Sequence, residues 1–166
     1  MGDPDYDTYD EILLTNENKE LIIVNTENLS RFRSLLASNW KKSGDVSFNL
    51  KDDKLYGIKF HFENNVTQPP ILFDVNDDGM EDIILIFGNI GKVMAIDYFL
   101  FSRDFKGGKR EDIKLINYKL WENRIEGSEI TGAMSLHRIG ADYYGIFGSN
   151  REHLYVMNLS NGLFYR

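Results

Sequence analysis

The sequence predicts a mainly β domain built of antiparallel sheets, with one short helix. Three observations point there. Short β-branched and aromatic runs alternate with polar turns along the chain. One strand–turn–strand pattern returns with similar internal spacing. The 166 residues, 42% hydrophobic and 13% aromatic, suffice for one globular domain with a real core but not for two.

The elements follow in chain order. Asp3, Asp5, Asp7, Asp10 and Glu11 give an acidic start, and residues 1–9 read as a flexible tail ahead of a single β-rich domain at 10–166. Ile12–Asn16 and Leu21–Asn25 flank the turn Asn16-Glu17-Asn18-Lys19 as a first hairpin. Leu29, Phe32, Leu35, Leu36 and Trp40 fall on one face at helical spacing. Asn28 suits an N-cap, Lys41 and Lys42 a last turn and Gly44 a stop, so a helix is expected over 29–42 with Trp40 in the core. Val46–Leu50 and Tyr56–Phe62 alternate as half-buried strands, which would turn His61 to solvent. Pro69 and Pro70 restart the chain before Ile71-Leu72-Phe73. Ile83–Phe87 is an apolar strand ending at Gly88, and Ile113–Trp121 supplies a further strand after the exposed loop Lys106–Arg110.

The repeat is visible in the residues themselves. Ile86-Phe87-Gly88 maps onto Ile146-Phe147-Gly148, 60 residues on, and Val93-Met94 onto Val156-Met157, 63 residues on. The opening hairpin aligns with the last when one residue is inserted. Repeat-like hairpins therefore lie at about 11–25, 71–97 and 139–160.

Only the middle hairpin carries a distinctive loop. From Asp74 to Asp82, oxygen-bearing side chains stand at Asp74, Asn76, Asp78 and Asp82, with Gly79 at the sharp turn and the carbonyl of Met80 between. Alternate oxygen ligands around a glycine are what a flexible Ca²⁺ shell requires, and they match the first nine positions of an EF-hand loop. The match stops at the twelfth position, where Leu85 replaces the bidentate Glu, and a strand follows instead of a helix. An Asn-Asp-Asp-Gly turn alone would not need carboxylates at both Asp74 and Asp82. Mg²⁺ prefers a tighter octahedral shell, and zinc would want Cys or His. The corresponding positions sixty residues on are Met134, Leu136, Arg138 and Asp142, so the last hairpin is expected to hold no ion.

From Pro69 to Gly88, and on through Gly91–Asp97, the chain resembles the FG-GAP or VCBS-type repeat of integrin alpha-chain-like β-propellers. That resemblance implies blades of about four antiparallel strands. It also implies Ca²⁺ bound by the side chains of Asp74, Asn76, Asp78 and Asp82 and the carbonyl of Met80. Its members mostly serve adhesion or protein–protein recognition and many are secreted, so an extracellular or periplasmic location is expected. Sixty-residue copies give fewer blades than a closed propeller needs, which implies a partial propeller, completion by another chain, or self-association. The rival architecture is a compact α+β domain with a calcium hairpin.

Other classes find less support. A net charge of −7 without a basic patch disfavours nucleic acid, and no run is apolar for long enough to insert in a membrane. Zero cysteines exclude disulfides and thiol chemistry. His61, His137 and His153 are far apart in sequence, and no motif sets a nucleophile beside any of them, so no enzyme is expected. The expectation is a calcium-stabilised recognition or adhesion module with an unidentified protein partner. The alternatives are a small secreted inhibitor or assembly partner and, less favoured, a hydrolytic enzyme. Tyr143, Tyr144 and Phe147 are candidate partner contacts, with Phe147 better suited to the core. Sequons stand at Asn28, Asn65 and Asn158.

Overall fold

The computed structural model describes residues 2–4, 10–25, 40–51, 54–108, 111 and 113–165. They form three antiparallel sheets laid down one after another along the chain. The first contains β1 (Glu11–Thr15), β2 (Glu20–Asn25), β3 (Lys41–Ser43), β4 (Val46–Lys51) and β5 (Lys54–His61), in the order β1-β2-β5-β4-β3. The second is a four-stranded meander of β6 (Ile71–Phe73), β7 (Asp82–Phe87), β8 (Lys92–Ile96) and β9 (Lys119–Arg124). The third repeats that plan with β10 (Ser135–Ile139), β11 (Asp142–Gly148), β12 (Leu154–Asn158) and β13 (Phe164–Tyr165).

The second sheet is the middle layer. Ile83, Leu85, Phe87, Met94 and Ile96 meet Leu21, Ile23, Val46, Phe48, Ile58 and Phe60 of the first sheet. The opposite face, Ile84, Ile86, Val93 and Ala95, meets Phe147, Met157 and Leu159 around the third. A strand covered on both sides cannot alternate polar with apolar, which is why β7 is buried at every position. Hydrogen bonds from Trp121 Nε1 to the Leu159 carbonyl and from Asn123 Nδ2 to the Gly162 carbonyl, each 2.8 Å, fasten β9 to the third sheet.

The one α-helix among the described residues, α1 (Tyr98–Lys106), lies where the sequence reading placed no element. Its signals are local. Tyr98, Phe101 and Phe105 recur on one helical face, Asp97 Oδ1 accepts the Leu100 N–H at 2.7 Å as an N-cap, and Gly107 closes the end. The aromatic stripe fills the seam between the first two sheets, with Phe101 edge-on to Phe60 at 4.8 Å.

The expected helix over 29–42 falls mostly on residues 26–39, outside the described ones, but its end is corrected. Trp40 is not helical, and Lys41–Ser43 form β3, turned back onto β4 through Gly44 at φ +55. The glycine that could have stopped a helix makes a hairpin turn instead. Trp40 is half-buried against Ile22 and Val24, with Lys59 Nζ 4.4 Å above its ring. The strand expected over 113–121 is likewise corrected: Leu115–Tyr118 form a 3₁₀ turn, and the strand begins only at Lys119. Ahead of β1, Gly2 bridges Glu11.

Register tests the repeat. Ile86 lies opposite Val93 and Ile146 opposite Val156, so the two aligned pairs are cross-strand partners in both meanders. The first hairpin departs. Ile12 faces Val24, and Ile23 faces Leu13. One residue of slip puts the aligned side chains on opposite faces, so this copy shares the hairpin but not the register.

Candidate metal centre

Pairing of Phe73 with Asp82 closes the hairpin that contains the candidate loop, residues 74–81. The loop reverses through two left-handed backbone positions, Asp77 at φ 61 and Gly79 at φ 86. No atom lies within 4 Å of where a Gly79 Cβ would sit, so glycine serves the backbone angle there and not a shortage of room. Asp74 Oδ1 accepts the Asp78 N–H at 3.2 Å, and its Oδ2 accepts that of Gly79 at 2.9 Å. Asn76 Oδ1 also accepts from Asp78, at 3.1 Å, and donates through Nδ2 to Asp78 Oδ2 at 2.9 Å. Asp78 Oδ1 accepts from the Met80 N–H at 2.8 Å. These Asx turns fix the loop while leaving each acceptor oxygen a second lone pair.

Asp82 differs from the others. It opens β7, is 1% exposed, and uses Oδ2 to accept the Val75 N–H at 2.9 Å. Its Oδ1 is buried without a hydrogen-bond partner. Burial pushes the carboxyl up to about 7. The Val75 N–H opposes that rise, while the carboxylates of Asp97, Asp78 and Asp74 add to it. A buried carboxylate oxygen with no donor is costly in any form except beside a cation or a proton. The chemistry of the donor set therefore fits a hard cation held by Asp74, Asn76, Asp78, Asp82 and the Met80 carbonyl.

Of the five expected residues, Asp74, Asn76 and Asp78 are tied to one another through the loop backbone, Met80 lies half-buried at its end, and Asp82 stands at its base. Among the described residues, no three acidic, His or Cys side chains already converge on one point. The loop would have to draw in around an ion. Asp77 is exposed, and Leu85 is fully buried in the seam toward the first sheet, so the twelfth position cannot contribute.

Sequence reasoning missed Asp97. It follows the Ile83–Ile96 pair at the end of β8, as Asp82 precedes that pair at the start of β7, and its charge acts on Asp82. Its carboxyl is raised by burial first, despite the Leu100 N–H, and then by Asp78. The available signal was the N-cap pattern before Tyr98, which marks a helix start without revealing a neighbour across the sheet.

A second polar group lies in the first sheet, where pairing of strands brings together residues that no sequence motif joins. Ser47 Oγ lies 2.7 Å from His61 Nε2, and His61 Nδ1 lies 3.5 Å from Glu20 Oε1. The ring is half-buried rather than free in solvent, and desolvation lowers its pKa, only partly countered by Glu20. The three residues come from β4, β5 and β2, distant in sequence but adjacent in the sheet. The third hairpin carries nothing comparable to the metal loop. Residues 140 and 141 alone join Ile139 to Asp142, and Asp142 is exposed.

Comparison with family models, curated proteins and solved structures yields no match to this chain.

Proposed function

We propose that the protein is a calcium-stabilised module of propeller-blade-like sheets that serves protein–protein recognition or adhesion, with Ca²⁺ in a structural role. The observation that carries this reading is the buried, unpartnered Asp82 oxygen at the base of a loop rich in oxygen donors. Bound there, Ca²⁺ would balance the charge that Asp82 cannot shed into water, and it would tie residues 74–80 to the start of β7. A loop that gathers its ligands only when folded turns ion binding into folding energy. Such a site belongs with extracellular or periplasmic calcium, the location proposed for this chain.

The recognition half of the reading is supported by the outer face of the third sheet. In the second sheet Ile84, Ile86, Val93 and Ala95 bury against the third. The repeat places Tyr144, Ile146, Val156 and Asn158 at the same register positions of the third sheet. On that face Ile139, Leu154, Leu163 and Tyr165 are 58%, 64%, 52% and 49% exposed. An apolar face set out to receive a β-sheet calls for a partner protein that presents one, whether for adhesion, inhibition or assembly. Asn158 itself is 8% exposed, which leaves its sequon out of reach in the folded chain.

A thermal melt in EDTA and then in millimolar Ca²⁺ tests the ion role. Melting should rise in calcium for the native chain and not for Asp74→Ala combined with Asp78→Ala. No response in the native chain reduces the loop to an acidic turn and ends this reading.

A hydrolase is the second reading, and Ser47–His61–Glu20 is the observation in its favour, since the order of contacts is that of nucleophile, base and orienting acid. Ser47 is only 6% exposed, which weighs against it. Labelling of Ser47 by a fluorophosphonate, lost in His61→Ala, would support the hydrolase; an inert Ser47 makes the group a cross-strand hydrogen-bond network.

A further inference from the structure

The EF-hand-like loop lacks its twelfth-position carboxylate, and the fold offers a replacement from outside the loop. We propose that Asp97, at the junction of β8 and α1, is a further ligand of the cation held by residues 74–82. This deepens the calcium reading and rests on it.

The argument is geometric. Ile83 and Ile96 form the last pair of the β7–β8 ladder, Asp82 and Asp97 are the next residues beyond it on the two chains, and Asp97 is the first of the carboxylates whose charge acts on Asp82. Two carboxylates in that relation repel unless something positive lies between them. Asp82 commits Oδ2 to Val75 and leaves the buried Oδ1 without a donor. Asp97 commits Oδ1 to the N-cap of α1, which leaves Oδ2 outside that bond. Asp78, across the loop, is the carboxylate whose field reaches both. Arg103, the cation that acts on Asp97 from α1, is 63% exposed at its side chain and ion-paired with Asp104 at 3.9 Å. A divalent ion among Asp78, Asp82 and Asp97 would satisfy the orphaned Asp82 oxygen and offset the mutual repulsion of these carboxylates at once. A further carboxylate oxygen adds charge to the shell, and the charge count of the ligands is one of the terms that set calcium affinity.

The test is Ca²⁺ titration by calorimetry, with Tb³⁺ luminescence as a direct readout of occupancy. The chains compared are the native one, Asp78→Asn, Asp97→Asn and Asp97→Ser. Asn and Ser both cap helices well, so α1 should persist in either variant, checked by circular dichroism and by a melt in EDTA. Asp78→Asn should lose most binding, and both Asp97 variants should bind about ten- to a hundredfold more weakly. The loss should survive high salt, because a ligand's contribution is not screened as a distant charge is. Three results overturn the proposal while sparing the calcium site: Asp97 variants that bind as the native chain does, a loss that vanishes in high salt, or a loss matched by an equal fall in the EDTA melt. A native chain that binds neither ion overturns both.

Discussion

The second and third sheets are two editions of one meander, alike in strand order and hairpin register yet unlike at the ends that matter. The second joins its first two strands through eight residues, 74–81, and the third through two, 140 and 141. The short turn needs only Gly140 at φ +66 and antiparallel pairing to hold. The long one gathers two aspartates and an asparagine, Asp74, Asp78 and Asn76, into Asx turns above a buried carboxylate. The faces differ as well. Ile86 is covered by a neighbouring sheet, whereas Ile146, its counterpart, is half-buried on an outer face. The same ladder thus carries a hairpin whose loop is the proposed cation site and one that needs only a glycine.

The largest test of this contrast is in the core. Ile86→Ala should cost about 3 kcal/mol and Ile146→Ala about 1 kcal/mol in denaturant melts, because only the first opens a cavity between packed sheets. Equal costs would mean that both outer positions are covered in solution. Calcium comes next. At a hundredfold excess over Kd the ion should add about 2.7 kcal/mol. That corresponds to a melting shift of about 5–10 °C at this chain length.

Acidity should sharpen the same difference. Asp82 is raised from 3.8 to about 7 in the fold, so without metal the folded state holds a proton that the unfolded state gives up. The stability that this proton brings is full below about 4 and falls as pH rises to 7. In EDTA the protein should therefore melt higher at pH 5 than at pH 8, and calcium should reduce or reverse that order. In Asp82→Asn the EDTA difference should shrink. Smallest are the glycines. Gly79→Ala and Gly140→Ala each force a side chain into left-handed backbone at about 1 kcal/mol. Only the former should also weaken the calcium response; an equal effect on both would detach the ion from the loop.

Much of this was written locally in the chain. The β character, the first and last hairpins, the cross-strand pairs Ile86–Val93 and Ile146–Val156, and the alternating oxygens of residues 74–82 all follow from short-range pattern. What escaped depends on neighbours brought from elsewhere. The Lys41–Ser43 strand looked like a helix end because lysines before a glycine suit both, and pairing with β4 decided between them. Tyr98, Phe101 and Phe105 carry helical spacing, but they follow directly on a strand, and packing in the seam beside the first sheet is what separates the two. Asp97 beside Asp82, and Ser47 beside His61, are juxtapositions made by sheet pairing. Neither pair has a sequence spacing that would announce it.

The hydrogen bonds from Trp121 and Asn123 to the turn after β12 bear on how unevenly the sheets are held. Their acceptors, the carbonyls of Leu159 and Gly162, belong to the third sheet, while their donors come from the last strand of the second. β9 is thus held by its ladder to one sheet and by its side chains to the next. The third sheet, held by a neighbouring sheet on one face only, should exchange its amide protons sooner than the second, which is covered on both.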